Sequence, residues 1–184
     1  MGKRKILNEN LTHNDLKDLD FEGLTMLSSE IRDFLIDSVS KTGGHLASNL
    51  GVVELTVMLH RCFDFKKDDR LIFDVGHQSY VHKILTGRMK GFETLRKTGG
   101  MSGFPRREED ETDLFDTGHS GTSLSLADGI ASAKLMRGEG GCAVAVIGDG
   151  SLTGGLCYEA LNNIGNTKKN ILNFIPLNWQ SCLK

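Results

Sequence analysis

At 184 residues, with 39% hydrophobic and 25% charged residues and a formal net charge of −2, the chain has the profile of one soluble globular domain. That balance argues against nucleic acid as a partner, and no run of about 18 apolar residues offers a membrane span. Met1 to Lys5 is basic, but no apolar segment of signal-peptide type follows, which points to the cytoplasm. Cysteines stand at 62, 142, 157 and 182 without CxxC spacing, so a structural zinc site is not expected and the thiols read as reduced. His60 and Cys62 read as residues at a helix end rather than as metal ligands. Glycine is enriched, at 22 of 184 residues, against an average of about 7%. Glycines gathered between apolar segments mark tight turns and places where backbone approaches a ligand.

In chain order, Leu24, Leu27, Ile31, Phe34, Leu35 and Val39 recur at helical spacing, and Gly43-Gly44 stands where that helix would stop. Val52 to Phe63 reads as a second, largely buried helix. Leu71 to Phe73 is a short buried strand, and Gln78 to Leu85 the helix after it. The charged segment from Arg106 to Asp116 reads as a solvated loop. Ser, Ala and Gly dominate 118–133, as in a helix packed closely against its neighbours. Cys142 to Ile147 is apolar without alternation, the pattern of a strand covered on both faces. A helix over 155–165 and a strand from Ile171 to Ile175 follow. The order predicts an α/β fold, a mainly parallel sheet with helices on both faces, in a single domain over 1–184.

Ligands of open parallel sheets bind beyond the carboxyl ends of strands. Gly148-Asp149-Gly150-Ser151 stands at such an end. Its carboxylate suits a hard divalent cation, and its glycines leave backbone N–H groups free to face phosphate oxygens, helped by the next helix start. The plainer alternative is a tight turn in which Asp149 caps that helix. Three Gly-His pairs, 44–45, 76–77 and 118–119, each follow an element end, and imidazole suits proton transfer or a phosphate contact.

The segments GGHLASNLGVVELTVMLH (43–60), DVGHQSYVHKILTGR (74–88), GGMSGFPRREE (99–109), DTGHSGTSLS (116–125) and IGDGSLTGGLCYEALNNIG (147–165) together resemble the 1-deoxy-D-xylulose-5-phosphate synthase family, from about residue 10 to about 172. The resemblance implies the diphosphate-binding domain of a thiamine diphosphate and Mg²⁺ enzyme. Such enzymes condense pyruvate with D-glyceraldehyde 3-phosphate, release CO₂ and feed isoprenoid and thiamine synthesis. Carried over by position, Asp149 is the metal ligand. Gly150 and Ser151 touch the diphosphate, although the family more often has Ala at 151. Gly118, His119 and Ser120 form the cofactor loop, with Gly121 replacing a commoner Ser. His45 and His77 are the catalytic histidines, His77 also contacting the cofactor. Asn163 and Glu159 have structural places only.

The resemblance fades over 173–184. Asn178 stands 29 positions after Asp149 (178 − 149), the spacing of a second metal and cofactor ligand, but Pro176 and Trp179 beside it do not suit a central strand. The resemblance also implies later domains that supply the glutamate activating the cofactor ring, and a homodimer. The expectation is therefore an amino-terminal portion, incomplete in a late strand and inactive alone. The alternatives are a subunit of a split enzyme, completed by another chain, or a non-catalytic diphosphate-binding remnant.

Overall fold

The computed structural model describes residues 5–176. The chain divides into two compact units, Met1–Asp64 with His77–Gly103, and Phe65–Gly76 with Phe104–Lys184.

The first unit is helical: α1 His13–Asp18, α2 Phe21–Thr42, α3 Leu46–Leu50, α4 Val53–Cys62, α5 Tyr80–Leu85 and a 3₁₀ helix at Met89–Thr94. Thr12 and Asp15 start α1 as a reciprocal capping box, and Asp20 starts α2 by accepting the Gly23 N–H at 2.8 Å. Leu27, Ile31, Leu35 and Val39 form the buried stripe of α2. The stripe packs with Val53, Val57, Tyr80, Val81 and Ile84, each such side chain contributing about 1.5–3 kcal/mol when fully buried. α2 ends where the Gly43 N–H reaches the Val39 carbonyl at 2.8 Å. His60, near the end of α4, is buried with its Nε2 2.9 Å from His82 Nδ1, while Cys62 is exposed.

The second unit carries the sheet. β1 Arg70–Phe73, β2 Ala143–Val146 and β3 Ile171–Phe174 are parallel in the order β1-β2-β3, with Ile72, Ala145 and Asn173 in register. All of β2 is buried, as its unbroken apolar sequence requires. α6 Ser123–Arg137 packs against all three strands, and α7 Gly155–Gly165 packs against α6. α6 buries Ser123, Leu124, Ala127, Ala131 and Lys134, three of them small. Asp128 ties this layer together, accepting from Asn163 Nδ2 at 2.7 Å and from Lys169 Nζ at 2.6 Å.

One sequence expectation changes, and two others gain detail. The charged segment is not wholly solvated: Thr112 and Asp113 are buried, and Asp113 accepts the Arg106 N–H at 2.8 Å. A 3₁₀ helix at Asp149–Thr153 separates the GDGS residues from α7, so α7 does not start directly behind Asp149. β3 ends at Phe174, before Pro176, and Asn178 lies outside the described residues. Among the described residues no helix is long and apolar enough to cross a membrane.

The adjacent pair Gly140-Gly141 offers a controlled test of the packing behind β2. A Cβ at Gly140 would meet nothing within 4 Å, whereas at Gly141, with φ +86°, it would lie 2.2 Å from the Asp68 carbonyl oxygen. Gly141→Ala should cost more than about 2 kcal/mol in chemical denaturation, and Gly140→Ala should stay within about 0.5 kcal/mol.

Candidate functional site

β1 and β2 are adjacent and parallel, so the turns that follow them leave the same edge of the sheet. After β1, Asp74 stays in the ladder, its N–H donating to the Val146 carbonyl at 2.8 Å. The chain then reverses abruptly: Val75 has φ 58°, and the Gly76 N–H returns to the Asp74 carbonyl at 2.5 Å. This is the strained form of γ-turn, costly for a β-branched residue. Neighbours hold it. The Thr117 hydroxyl donates to the Val75 carbonyl at 2.9 Å. At Gly76, with φ +99°, a Cβ would fall 2.3 Å from Pro105 Cδ, so only glycine fits.

The Asp74 side chain fixes the Gly118-His119-Ser120 loop. It is 1% exposed, and its two oxygens accept the backbone N–H groups of Gly121 at 2.9 Å and Ser123 at 3.0 Å. Thr122, at the cap position of α6, makes no capping hydrogen bond with its side chain, so Asp74 caps that helix from the neighbouring strand. Residues 118–120 remain exposed in front of it, and a Cβ at Gly118 would meet nothing within 4 Å.

After β2, Asp149, Gly150 and Ser151 occupy the 3₁₀ turn, with Asp149 and Ser151 half-buried and Gly150 exposed. The Gly150 N–H donates to Asp149 Oδ1 at 2.9 Å, and the Ser151 N–H to the Gly148 carbonyl at 3.0 Å. Both donors expected to face phosphate are thus engaged within the turn. Cys157 links this turn to the GHS loop. Its thiol donates to the Ser151 carbonyl at 3.0 Å, and a Cβ on Gly121 would lie 3.4 Å from its sulfur. Burial, with the Asp74 charge adding, pushes this thiol's pKa up and keeps it a donor.

The other two expected residues belong to the helical unit. His45 precedes α3 and His77 precedes α5, and their rings meet with centroids 3.9 Å apart, tilted by 43°. Burial lowers the pKa of both; for His45 the neighbouring His77 and Arg96 charges lower it further. Asn49, fully buried, donates to the carbonyls of His45 at 2.8 Å and His77 at 2.7 Å and accepts the Tyr80 N–H at 2.8 Å. The sequence reading singled out neither Asn49 nor Asp74; the only available signal was a polar residue embedded in an otherwise apolar or glycine-rich segment.

The residues suit a diphosphate better than they suit a metal alone. Gly118, Gly148 and Gly150 leave backbone open to approach, since a Cβ at any of them would meet nothing within 4 Å. Asp149 offers the hard oxygen that Mg²⁺ prefers. Among the described residues no group of three His, Cys, Asp or Glu side chains is placed to hold a metal.

Comparison with known proteins gives the chain's family and fold. Residues 7–182 match the family described as 1-deoxy-D-xylulose-5-phosphate synthase. The synthase of Lachnoclostridium phytofermentans is 58% identical over 168 residues, covering 91% of this chain and 27% of that protein. The synthase of Clostridium perfringens strain SM101 is 54% identical over 180 residues, covering 98% of this chain and 29% of its own length. The chain thus spans between a quarter and a third of these relatives. In fold it is similar to the transketolase of Leishmania mexicana, with a TM-score of 0.67 at 20% identity, over 83% of this chain and 27% of that one.

Two outcomes follow from the geometry. Asp74→Asn leaves one of two buried N–H groups facing an amide and removes a charge-assisted cap, so it should cost about 2–3 kcal/mol in equilibrium unfolding. His45 and His77 have folded-state pKa values below the ordinary 6.5, so the unfolded chain binds protons more readily. Their contribution is complete above about pH 6.5 and is lost as pH falls below it toward the lowered folded-state values. A melting series from pH 7.5 downward should therefore fall less steeply for the His45→Gln, His77→Gln double variant than for the parent.

Proposed function

We propose that this chain, which belongs to the 1-deoxy-D-xylulose-5-phosphate synthase family, is the part of such an enzyme that grips the diphosphate end of thiamine diphosphate together with Mg²⁺. The observation that carries this reading is the pairing of two turns: the GHS loop, held by Asp74 from the end of β1 through the Gly121 and Ser123 amides, and the GDGS turn after the neighbouring parallel strand β2, which meet at Cys157. In the parent reaction pyruvate and D-glyceraldehyde 3-phosphate condense with release of CO₂, and the bound cofactor supplies the carbanion chemistry. The residues here have narrower tasks. Asp149 supplies a carboxylate oxygen to the metal. Gly118, His119 and Ser120 present exposed backbone and polar groups toward phosphate, while Gly150 and Ser151 present theirs once the turn's internal bonds are exchanged. The Gly150 N–H becomes a phosphate donor when the Asp149 carboxylate takes another partner.

His45 and His77 we assign to proton handling, His77 also to the cofactor. Their lowered pKa values keep both rings neutral near pH 7, able to accept a proton at one nitrogen while donating from the other. Asn178 is proposed as a second oxygen ligand by its spacing from Asp149 alone. The whole chain is read as one incomplete diphosphate-binding domain of a cytoplasmic, homodimeric enzyme. The 184 residues represent so small a share of the related synthases that we infer the remaining catalytic groups lie in sequence outside them.

Calorimetric titration of the 184-residue chain with thiamine diphosphate and Mg²⁺ is the deciding measurement. The expected result is metal-dependent binding that Asp149→Ala abolishes without lowering the melting temperature, and no product from pyruvate and D-glyceraldehyde 3-phosphate. Binding that survives both removal of the metal and loss of Asp149 would refute the assignment.

A further inference from the structure

We propose that Asn49 is the positioning residue that sets the spacing and relative tilt of the His45 and His77 rings. The inference rests on the reading of those two histidines as the functional pair. They are 32 residues apart (77 − 45) and sit in separate turns, before α3 and before α5. One side chain spans both turns: Asn49 Nδ2 donates to the carbonyl of His45 at 2.8 Å and to that of His77 at 2.7 Å.

The chemistry of the position admits an amide and little else. Two carbonyl oxygens require two donors on one nitrogen, and the Tyr80 N–H, 2.8 Å from Oδ1, requires an acceptor on the other arm. Asn49 meets all three demands, and the arrangement itself fixes which arm is nitrogen. Aspartate would set an oxygen against two carbonyl oxygens, and an apolar residue of the same size would lose all three bonds. The site is fully buried, so water does not stand in for a missing partner.

The ring contact at 3.9 Å therefore depends on backbone held at both ends by the same amide. Local packing contributes as well: Gly44, next to His45, is so close to Tyr80 that an added Cβ would lie 2.8 Å from the phenol oxygen, which the His45 backbone also approaches. The Tyr80 ring limits how near the His45 turn can come, and Asn49 fixes where it stops. Of the charged and titratable groups facing His45, His77, Arg96 and Tyr80 all belong to this helical unit.

The test is magnetic resonance on the 184-residue chain, with no cofactor present. In the parent, scalar couplings across hydrogen bonds should connect Asn49 Nδ2 to the carbonyl carbons of both His45 and His77; absence of either overturns the proposal without any variant. Next, the titration midpoint of His45 is followed with and without His77→Gln. In the parent background that substitution should raise the midpoint, because it removes a neighbouring positive charge. In the Asn49→Asp or Asn49→Ser background it should leave the midpoint unmoved. A folded Asn49 variant in which His45 still responds to His77→Gln would show that Asn49 only supports the fold. Because these readouts need no cofactor, failure of the cofactor assignment would appear separately, as absent binding in calorimetry with the histidine coupling intact.

Discussion

A carboxylate buried to 1% exposure is expensive unless every lone pair it carries toward the protein meets a donor. Asp74 meets that condition by reaching from the end of β1 to the first amides of α6. Much else in the sheet unit follows from that reach. The helix gains a negative charge at its positive end, which Thr122 does not provide. The loop before the helix is then fixed relative to β1, because Gly121 and Ser123 hold opposite oxygens of one rigid group. The strained turn at Val75 comes directly after that carboxylate, where the chain leaves the strand sharply with φ 58°. An anion, the Asp74 carboxylate, already stands at the N-terminus of α6, and the exposed residues 118–120 lie just outside it.

The helical unit uses the same logic with a neutral group. Asn49 joins two turns by donating twice and accepting once, as Asp74 joins strand to helix by accepting twice. In both cases a short polar side chain without exposure sets the distance between two segments far apart in sequence. Such groups are sensitive because their bonds are not replaced by water when one partner is lost. Cys157 performs a weaker version of this task between the two turns at the sheet edge, and its raised pKa keeps the proton on sulfur that the Ser151 carbonyl accepts.

How far the sequence reveals this depends on the range of the interaction that decides each feature. Periodicity is local, and it placed α2, α4, α6, α7 and all three strands within a few residues of where they stand. α1, α3 and the 3₁₀ helix at Met89–Thr94 are too short to show a stripe, although Thr12 and Asp15 carry a legible capping box. The loop at 118–120 was legible as a Gly-His pair after the charged segment, and that at 149–151 as a glycine-rich break after an apolar run. The anchoring of the GHS loop by Asp74, across 47 residues, was not legible, nor was that of the His77 turn by Asn49, across 28. The charged segment was misread for the same reason: composition suggests solvent throughout, while Asp113 is buried by accepting an amide seven residues back.

If the turns act as proposed, gripping and proton handling are separated at the level of local structure. Gripping a phosphate needs exposed backbone donors at a fixed spacing, which a parallel sheet provides by ending two strands side by side. Proton handling near neutral pH needs imidazoles shielded enough to lower their pKa without losing contact with one another, which a helical unit provides by burying the turns that carry them. Fold similarity extends to transketolases at about one residue in five, so the layout alone does not distinguish one chemistry from another. What distinguishes this chain is the set of side chains at the turns, and the buried amide and carboxylate that keep those turns where they are.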